Sequence, residues 1–84
     1  MEFTNAQKDV LGQVESMWKR DGRPEEGEDV YSVAFRSKKT LDAIVASGVG
    51  KEYWVMDDTD TGYHQAALTI NFPKFVACLK NEDF

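Results

Sequence analysis

The fold is decided by residues 52–79, which read EYWVMDDTDTGYHQAALTINFPKFVACL. An aromatic segment at 53–56 and an alternating segment at 63–70 are typical of two β-strands. The acidic stretch between them favours a tight connection, because Asp and Thr side chains bond the local backbone and Gly62 tolerates a positive φ. Pro73 predicts the first turn of a helix, where its missing N–H costs no hydrogen bond. The stretch therefore predicts a β-hairpin followed by a helix.

The N-terminal part of the chain has the pattern of an amphipathic helix. Thr4 and Gln7 stand at the spacing of a capping box, in which each side chain satisfies a backbone donor at the helix start. Turn residues at 21–24 end the helix at about Arg20. The apolar residues recur at spacings of three, four and seven, so they share one stripe that faces the core. These residues are Phe3, Val10, Leu11, Val14, Met17 and Trp18.

The middle of the chain predicts one strand and one short helix. β-Branched and aromatic residues at 30–35 favour the strand. Ser37 or Thr40 can cap a helix that runs to about residue 47. Gly48 suits the left-handed position that follows a helix end.

Together these elements predict a single α+β domain over residues 1–84, in the order α-β-α-β-β-α. A helix follows the first strand, so that strand reaches the hairpin through a crossover connection, which joins parallel strands. We therefore expect a three-stranded mixed sheet packed with helices. Asn71 or Phe72 caps the last helix, and Phe75 lies on its inward stripe.

Alternation in the hairpin gives a hypothesis for which side chains face the core. A shift of one residue would move the side chains of a strand to the other face, so the register is the open question. We expect the inward set to be Trp54, Met56, Ala66, Leu68 and Ile70. The outward set is then Tyr53, Val55, Tyr63, Gln65, Ala67 and Thr69.

Composition limits the class of protein. A hydrophobic fraction of 42% in 84 residues supports one folded core and argues against intrinsic disorder. The formal net charge of −5 disfavours binding to nucleic acid or to an anionic membrane, since both attract clustered positive charge. No secretion signal is evident at the N-terminus, and no apolar run approaches the length of a spanning helix. Cys78 is the only cysteine, so we expect a cytoplasmic protein with a buried, inert thiol.

No arrangement of reactive side chains predicts an enzyme. His64, the only histidine, lies in a predicted strand and Cys78 in a predicted helix, and no third group is identified that would orient such a nucleophile pair. The stretch from Asp58 to Gly62 begins like a calcium loop, but Thr69 stands where such a loop requires a bidentate Glu. We therefore expect a non-enzymatic protein with no metal and no cofactor.

Two acidic segments and the hairpin aromatics give the predicted binding site. Acidic runs are ordinarily solvated loops, but one of these borders aromatic residues that can anchor a partner inside a charged rim. We predict a protein-binding module. More narrowly, we predict an inhibitor or decoy, of the kind that phages and other mobile elements encode, that occupies the basic channel of a nucleic-acid-handling host protein. The predicted site comprises Tyr53, Tyr63, Asp57, Asp58, Asp60, Glu25, Glu26, Glu28 and Asp29.

Two other functions stay open. The chain can be an accessory subunit of a larger protein complex, using the same kind of surface. It can also bind single-stranded nucleic acid if Tyr31, Phe35, Tyr53 and Tyr63 share one surface on which bases stack. The overall acidity opposes direct nucleic-acid binding.

Overall fold

Helix α1 (Asn5–Arg20) begins at the predicted capping box. The computed structural model describes residues 3–58 and 62–81, and the side chains of all of these except Asp57 and Asp58. The N–H of Gln7 donates to the Thr4 hydroxyl at 3.2 Å, and the N–H of Thr4 donates to Gln7 Oε1 at 3.0 Å. Two backbone donors that the helix cannot satisfy are therefore bonded.

The other two helices in the described residues also begin at side-chain caps. Helix α2 (Lys38–Ala46) takes Ser37 as its cap, which decides between the two candidates from the sequence. Helix α3 (Phe72–Leu79) takes Asn71, whose side chain accepts from the N–H of Lys74 at 3.2 Å. Gly48 follows α2 with a φ of 88°, the left-handed conformation predicted for it.

The sheet comprises strands β1 (Glu28–Phe35), β2 (Gly50–Asp58) and β3 (His64–Asn71) in the spatial order β1-β3-β2. Both pairings are antiparallel, so the expectation of a mixed sheet was wrong. The crossover through α2 does join two strands that run the same way. However, β3 lies between them, and every adjacent pair is therefore antiparallel. The α+β class and the element order are confirmed.

One face of the sheet carries the core, and residues from all three described helices pack there. Trp18 of α1 contacts Phe75 of α3 edge to face, with ring centroids 5.3 Å apart. The indole N–H of Trp18 also donates to the carbonyl of Pro24 at 2.8 Å. Both rings are core residues, as predicted. The buried cluster further includes Val10, Leu11, Val14, Tyr31, Val33, Phe35, Leu41, Ile44, Leu68, Ile70 and Phe72.

The hairpin register agrees with the prediction for β3 and reverses it for β2. Ala66, Leu68 and Ile70 are fully buried, as expected. Trp54 and Met56, which we expected inward, are 56% and 51% exposed. The expected outward residues of β2, Tyr53 and Val55, pack against the core instead.

The reversal has a physical reason. Both alternating sets of β2 are apolar, so hydrophobicity alone does not choose between them. Register shifts between Gly50 and Glu52 and between Val55 and Asp57 further interrupt the alternation. In the observed register Tyr53 and Val55 pack against the core, and the Tyr53 hydroxyl donates to the Asp42 carboxylate of α2 at 2.6 Å.

Two further expectations concern single residues. Gly62 has a φ of 85°, which agrees with the positive φ expected at the hairpin connection. Cys78 is half-buried, so the prediction of a buried thiol was wrong. None of the helices in the described part of the chain is long and apolar enough to cross a membrane.

Candidate functional site

The second face of the sheet is covered by none of the described helices. Because Tyr31, Val33 and Phe35 point into the core, the residues between them point to this other face. The strand pairings then place Val30 beside Thr69 and Glu52, and place Ser32 beside Ala67 and Trp54. We call the surface formed by these two rows the open face. It comprises Val30, Ser32, Glu52, Trp54, Ala67 and Thr69.

The open face has small side chains at its centre and large apolar ones at its sides. Ala67 and Thr69 of the central strand are 6% and 5% exposed, although neither belongs to the helix-covered core. Trp54 on β2 and Val30 on β1 are 56% and 47% exposed. The central strand is thus shielded by its neighbours, while the apolar groups beside it contact solvent. Exposed apolar side chains grouped on one face are a feature of contact surfaces.

Polar groups bound the open face. The Glu28 carboxylate lies 3.1 Å from the ammonium group of Lys51, which links the ends of the two outer strands. Ser32 donates from its hydroxyl to Gln65 Oε1 at 3.1 Å. Glu52 is exposed within the face itself. Polar groups thus lie both around and within the apolar surface of Val30, Trp54 and Ala67, and protein interfaces commonly combine the two.

The predicted aromatic anchors lie elsewhere. Tyr53 is on the helix-covered side, and its hydrogen bond to Asp42 raises the pKa of its hydroxyl. Tyr63 is exposed, as predicted, with the guanidinium carbon of Arg36 4.6 Å from the centre of its ring. Tyr63 and Arg36 border an open cleft of about 370 Å³ at one end of the domain. The cleft is also lined by Asn5, Ala6, Asp9, Val10, Phe35 and Thr40.

The two predicted acidic segments are not brought together. Glu28 pairs with Asn71 at one end of the sheet, whereas Asp58 pairs with His64 at the other end. A strand of eight residues separates these ends by roughly 20 Å. Glu25, Glu26, Glu28 and Asp29 are exposed, and Asp29 accepts a hydrogen bond from the N–H of Val30. Asp60 and the side chains of Asp57 and Asp58 lie outside the described residues.

The aromatic surface required by the nucleic-acid alternative is not formed. Tyr31 and Phe35 are buried in the core, and Tyr53 is held against α2. Burial, and then the negative charge of Asp21, raise the pKa of Tyr31 to about 12. Among the side chains that the structure describes, no group of three from His, Cys, Asp or Glu could hold a metal ion.

Sequence reasoning missed the open face because it placed Trp54 in the core. The one available signal was the alternation itself, since the opposite choice of register would have exposed Trp54 beside Ala67 and Thr69. No protein-family model, curated protein or solved structure matches this chain.

Proposed function

We propose that this chain is a non-enzymatic protein-binding module whose contact surface is the open face. The supporting observation is the exposure of Trp54 on a sheet face that none of the described helices covers. A tryptophan in water leaves a large apolar area hydrated, and covering that area with a partner is favourable. Tryptophan is also enriched among the few residues that dominate binding energy at protein interfaces.

The shape of the open face supports a protein partner over a small molecule. The open face is broad, with small side chains at its centre, whereas small-molecule sites are concave and enclose most of their ligand. Val30 and Trp54 lie on opposite outer strands, so a partner that contacts both must cross the central strand. Both the inhibitor and the accessory-subunit hypotheses are compatible with this surface.

The narrower inhibitor hypothesis stays a prediction. Glu28 and the backbone of Asp58 lie at opposite ends of the sheet, so a partner with a basic channel would have to extend along the strands to contact both acidic segments. In that case association would slow steeply as salt rises, because exposed charges are screened beyond about 8–10 Å at physiological ionic strength. An accessory subunit bound through the apolar centre would retain its affinity in high salt.

The test compares two exposed aromatic residues. The wild-type chain, Trp54→Ala and Tyr63→Ala are used to capture partners from the native host, and the affinity of each for the captured partner is then measured. We expect Trp54→Ala to weaken binding by roughly 30-fold or more, which is the effect of losing a central anchor. Tyr63→Ala is the matched control, since it removes an exposed ring away from the open face. Loss of binding in Tyr63→Ala alone would instead place the interface at the hairpin end.

A further inference from the structure

Side chains of the described residues bond to the backbone of one edge strand of the sheet, β1, and not to that of the other, β2. On the outer edge of β1, the amide of Gln13 donates to the carbonyl of Ala34 at 2.8 Å and accepts from the N–H of Ala34, also at 2.8 Å. The Asp29 carboxylate accepts from the N–H of Val30 at 2.8 Å on the same edge. These side chains occupy backbone groups with which another strand would otherwise pair. The β1 edge is therefore largely closed to further pairing.

The strand pairings identify the free groups on the opposite edge. Ala34 directs its N–H and C=O away from β3, so Val33 directs its own toward β3, where it pairs with Ala66. The N–H and C=O of Ala66 thus bond to β1. Those of the next residue, Ala67, bond to β2, where Ala67 pairs with Trp54. On β2 the residues that flank Trp54 then point away from the sheet. These residues are Tyr53 and Val55.

Nothing in the described part of the chain occupies those outward groups. Neither the side-chain bonds nor the turn and loop bonds of the described residues involve the N–H or C=O of Tyr53 or Val55. Two donors and two acceptors are thus available on a short regular stretch between the register shifts of β2. An edge of this kind is a template for one more strand.

We propose that the β2 edge binds β2 of a second copy of this chain, antiparallel, about a two-fold axis at Trp54. In this register Tyr53 of each copy lies opposite Val55 of the other. All four outward groups of each copy are then bonded, because two opposed residues of this type exchange both N–H···O bonds. The two sheets join into one six-stranded sheet with both open faces on the same side.

The sequence of β2 favours this register. The two Trp54 rings become direct neighbours at a non-hydrogen-bonded position, where cross-strand side chains approach most closely and aromatic pairs are favourable. The antiparallel arrangement is thus self-complementary in its apolar contact.

The closed β1 edge limits the assembly to two copies. If both edges accepted a strand, the same pairing could continue into an open fibre. With Gln13 and Asp29 bonded to β1, a dimer joined through β2 presents only β1 edges. A single strand pair covers less than the roughly 1,200 Å² of typical specific interfaces, so we expect a weak dimer that forms at high protein concentration.

The first test removes one outward donor from each edge. Val55→Pro deletes an N–H that the monomer does not use, and Ser32→Pro makes the same change at an outward position of β1. In sedimentation equilibrium over a rising concentration series, we expect the wild-type chain and Ser32→Pro to dimerise and Val55→Pro to stay monomeric. A wild-type chain that is monomeric throughout, or equal dimerisation of Val55→Pro, would overturn the proposal.

Val55 also packs against the core, so misfolding of Val55→Pro would also prevent dimerisation. A second variant distinguishes misfolding from loss of the edge contact. Trp54→Lys changes an exposed side chain and would oppose two positive charges at the two-fold axis. We expect its circular dichroism spectrum to match that of the wild-type chain while its dimer dissociation constant rises at least tenfold. An unchanged dissociation constant would refute the axis at Trp54.

The register itself is tested by cross-linking. In a Cys78→Ser background, Trp54→Cys would bring two thiols to Cα atoms about 4.5 Å apart, within the range of a disulfide. Glu52→Cys, on the same strand and face, would place the thiols on either side of the axis and is the control. We expect rapid oxidation to a covalent dimer only for Trp54→Cys, and faster cross-linking of Glu52→Cys would contradict the register. The proposed function does not depend on this dimer: a chain that captures a partner but stays monomeric throughout the concentration series would refute only the dimer.

Discussion

The two tryptophans of this chain show how its two sheet faces differ. Trp18 lies under the helices, contacts Phe75 edge to face and donates its indole N–H to Pro24. Trp54 lies on the open face with 56% of its surface exposed. The same side chain therefore contributes to the core in one place and leaves apolar surface in water in the other.

One face of the sheet supplies the core, and the other is the face proposed to contact a partner. On the covered face each large ring has a packing neighbour, so its removal would leave a cavity. On the open face, more than half of the Trp54 surface stays in water, so contact with a partner would bury apolar area that the isolated chain leaves hydrated.

The largest expected effect is on the covered face. Trp18→Ala should lower the free energy of unfolding by about 3–5 kcal/mol, because it creates a cavity beside Phe75 and removes a hydrogen bond. A loss of this size is a large fraction of the stability of a small domain. Urea unfolding followed by circular dichroism measures it. A cost below about 1 kcal/mol would show that the covered face is not the principal core.

The next effect concerns the side chain that closes the β1 edge. Gln13→Ala should cost about 1–3 kcal/mol, because the part-buried N–H and C=O of Ala34 lose both partners. Gln65→Ala is the matched control, since the Gln65 amide accepts only the exposed Ser32 hydroxyl among its described hydrogen bonds. Denaturant unfolding of both variants should separate them. Equal costs would mean that the edge contact adds little.

A pH effect is expected from Tyr31 on the covered face. Its folded pKa is raised from 10.0 to about 12 by burial and by the charge of Asp21, so the unfolded chain loses this proton first as the pH rises. The associated stability is present below pH 10 and is lost between about pH 10 and 12. Tyr31→Phe should therefore lose less stability than the wild-type chain over this interval.

The Tyr31→Phe comparison is measured as melting temperature against pH. At neutral pH Tyr31→Phe should be neutral or slightly stabilising, because the buried hydroxyl has no well-formed hydrogen bond to a described residue. Identical alkaline curves for Tyr31→Phe and the wild-type chain would contradict the assignment.

The smallest effect is expected on the open face. Trp54→Ala should change the free energy of unfolding by less than about 1 kcal/mol at concentrations where the chain is monomeric, because more than half of the surface of this residue is already in water. The measurement is the same urea titration used for Trp18→Ala. A cost as large as that of Trp18→Ala would abolish the distinction between the two faces.

Much of the local structure could be predicted because it depends on neighbours in sequence. The Thr4 and Gln7 capping box, the Ser37 cap and the helical stripe that includes Trp18 all arise from contacts within a few residues. The candidate site was not predictable in the same way. Its central residue, Trp54, was assigned to the wrong face, because neither apolar set of β2 is more hydrophobic than the other in a decisive way.

The sequence by itself determined the α+β class, the element order, the capping box that starts α1 and the inward set of β3, since each follows from short-range periodicity and capping. Only the tertiary structure decided that β3 lies between the other two strands and which side chains of β2 face the core. These depend on pairing between distant segments and on contacts such as Tyr53 with Asp42. The hydrogen bonds of Gln13 close the β1 edge, and the strand pairing places the two acidic segments at opposite ends of the sheet. Residue spacing does not predict either result, because both depend on which distant segments meet.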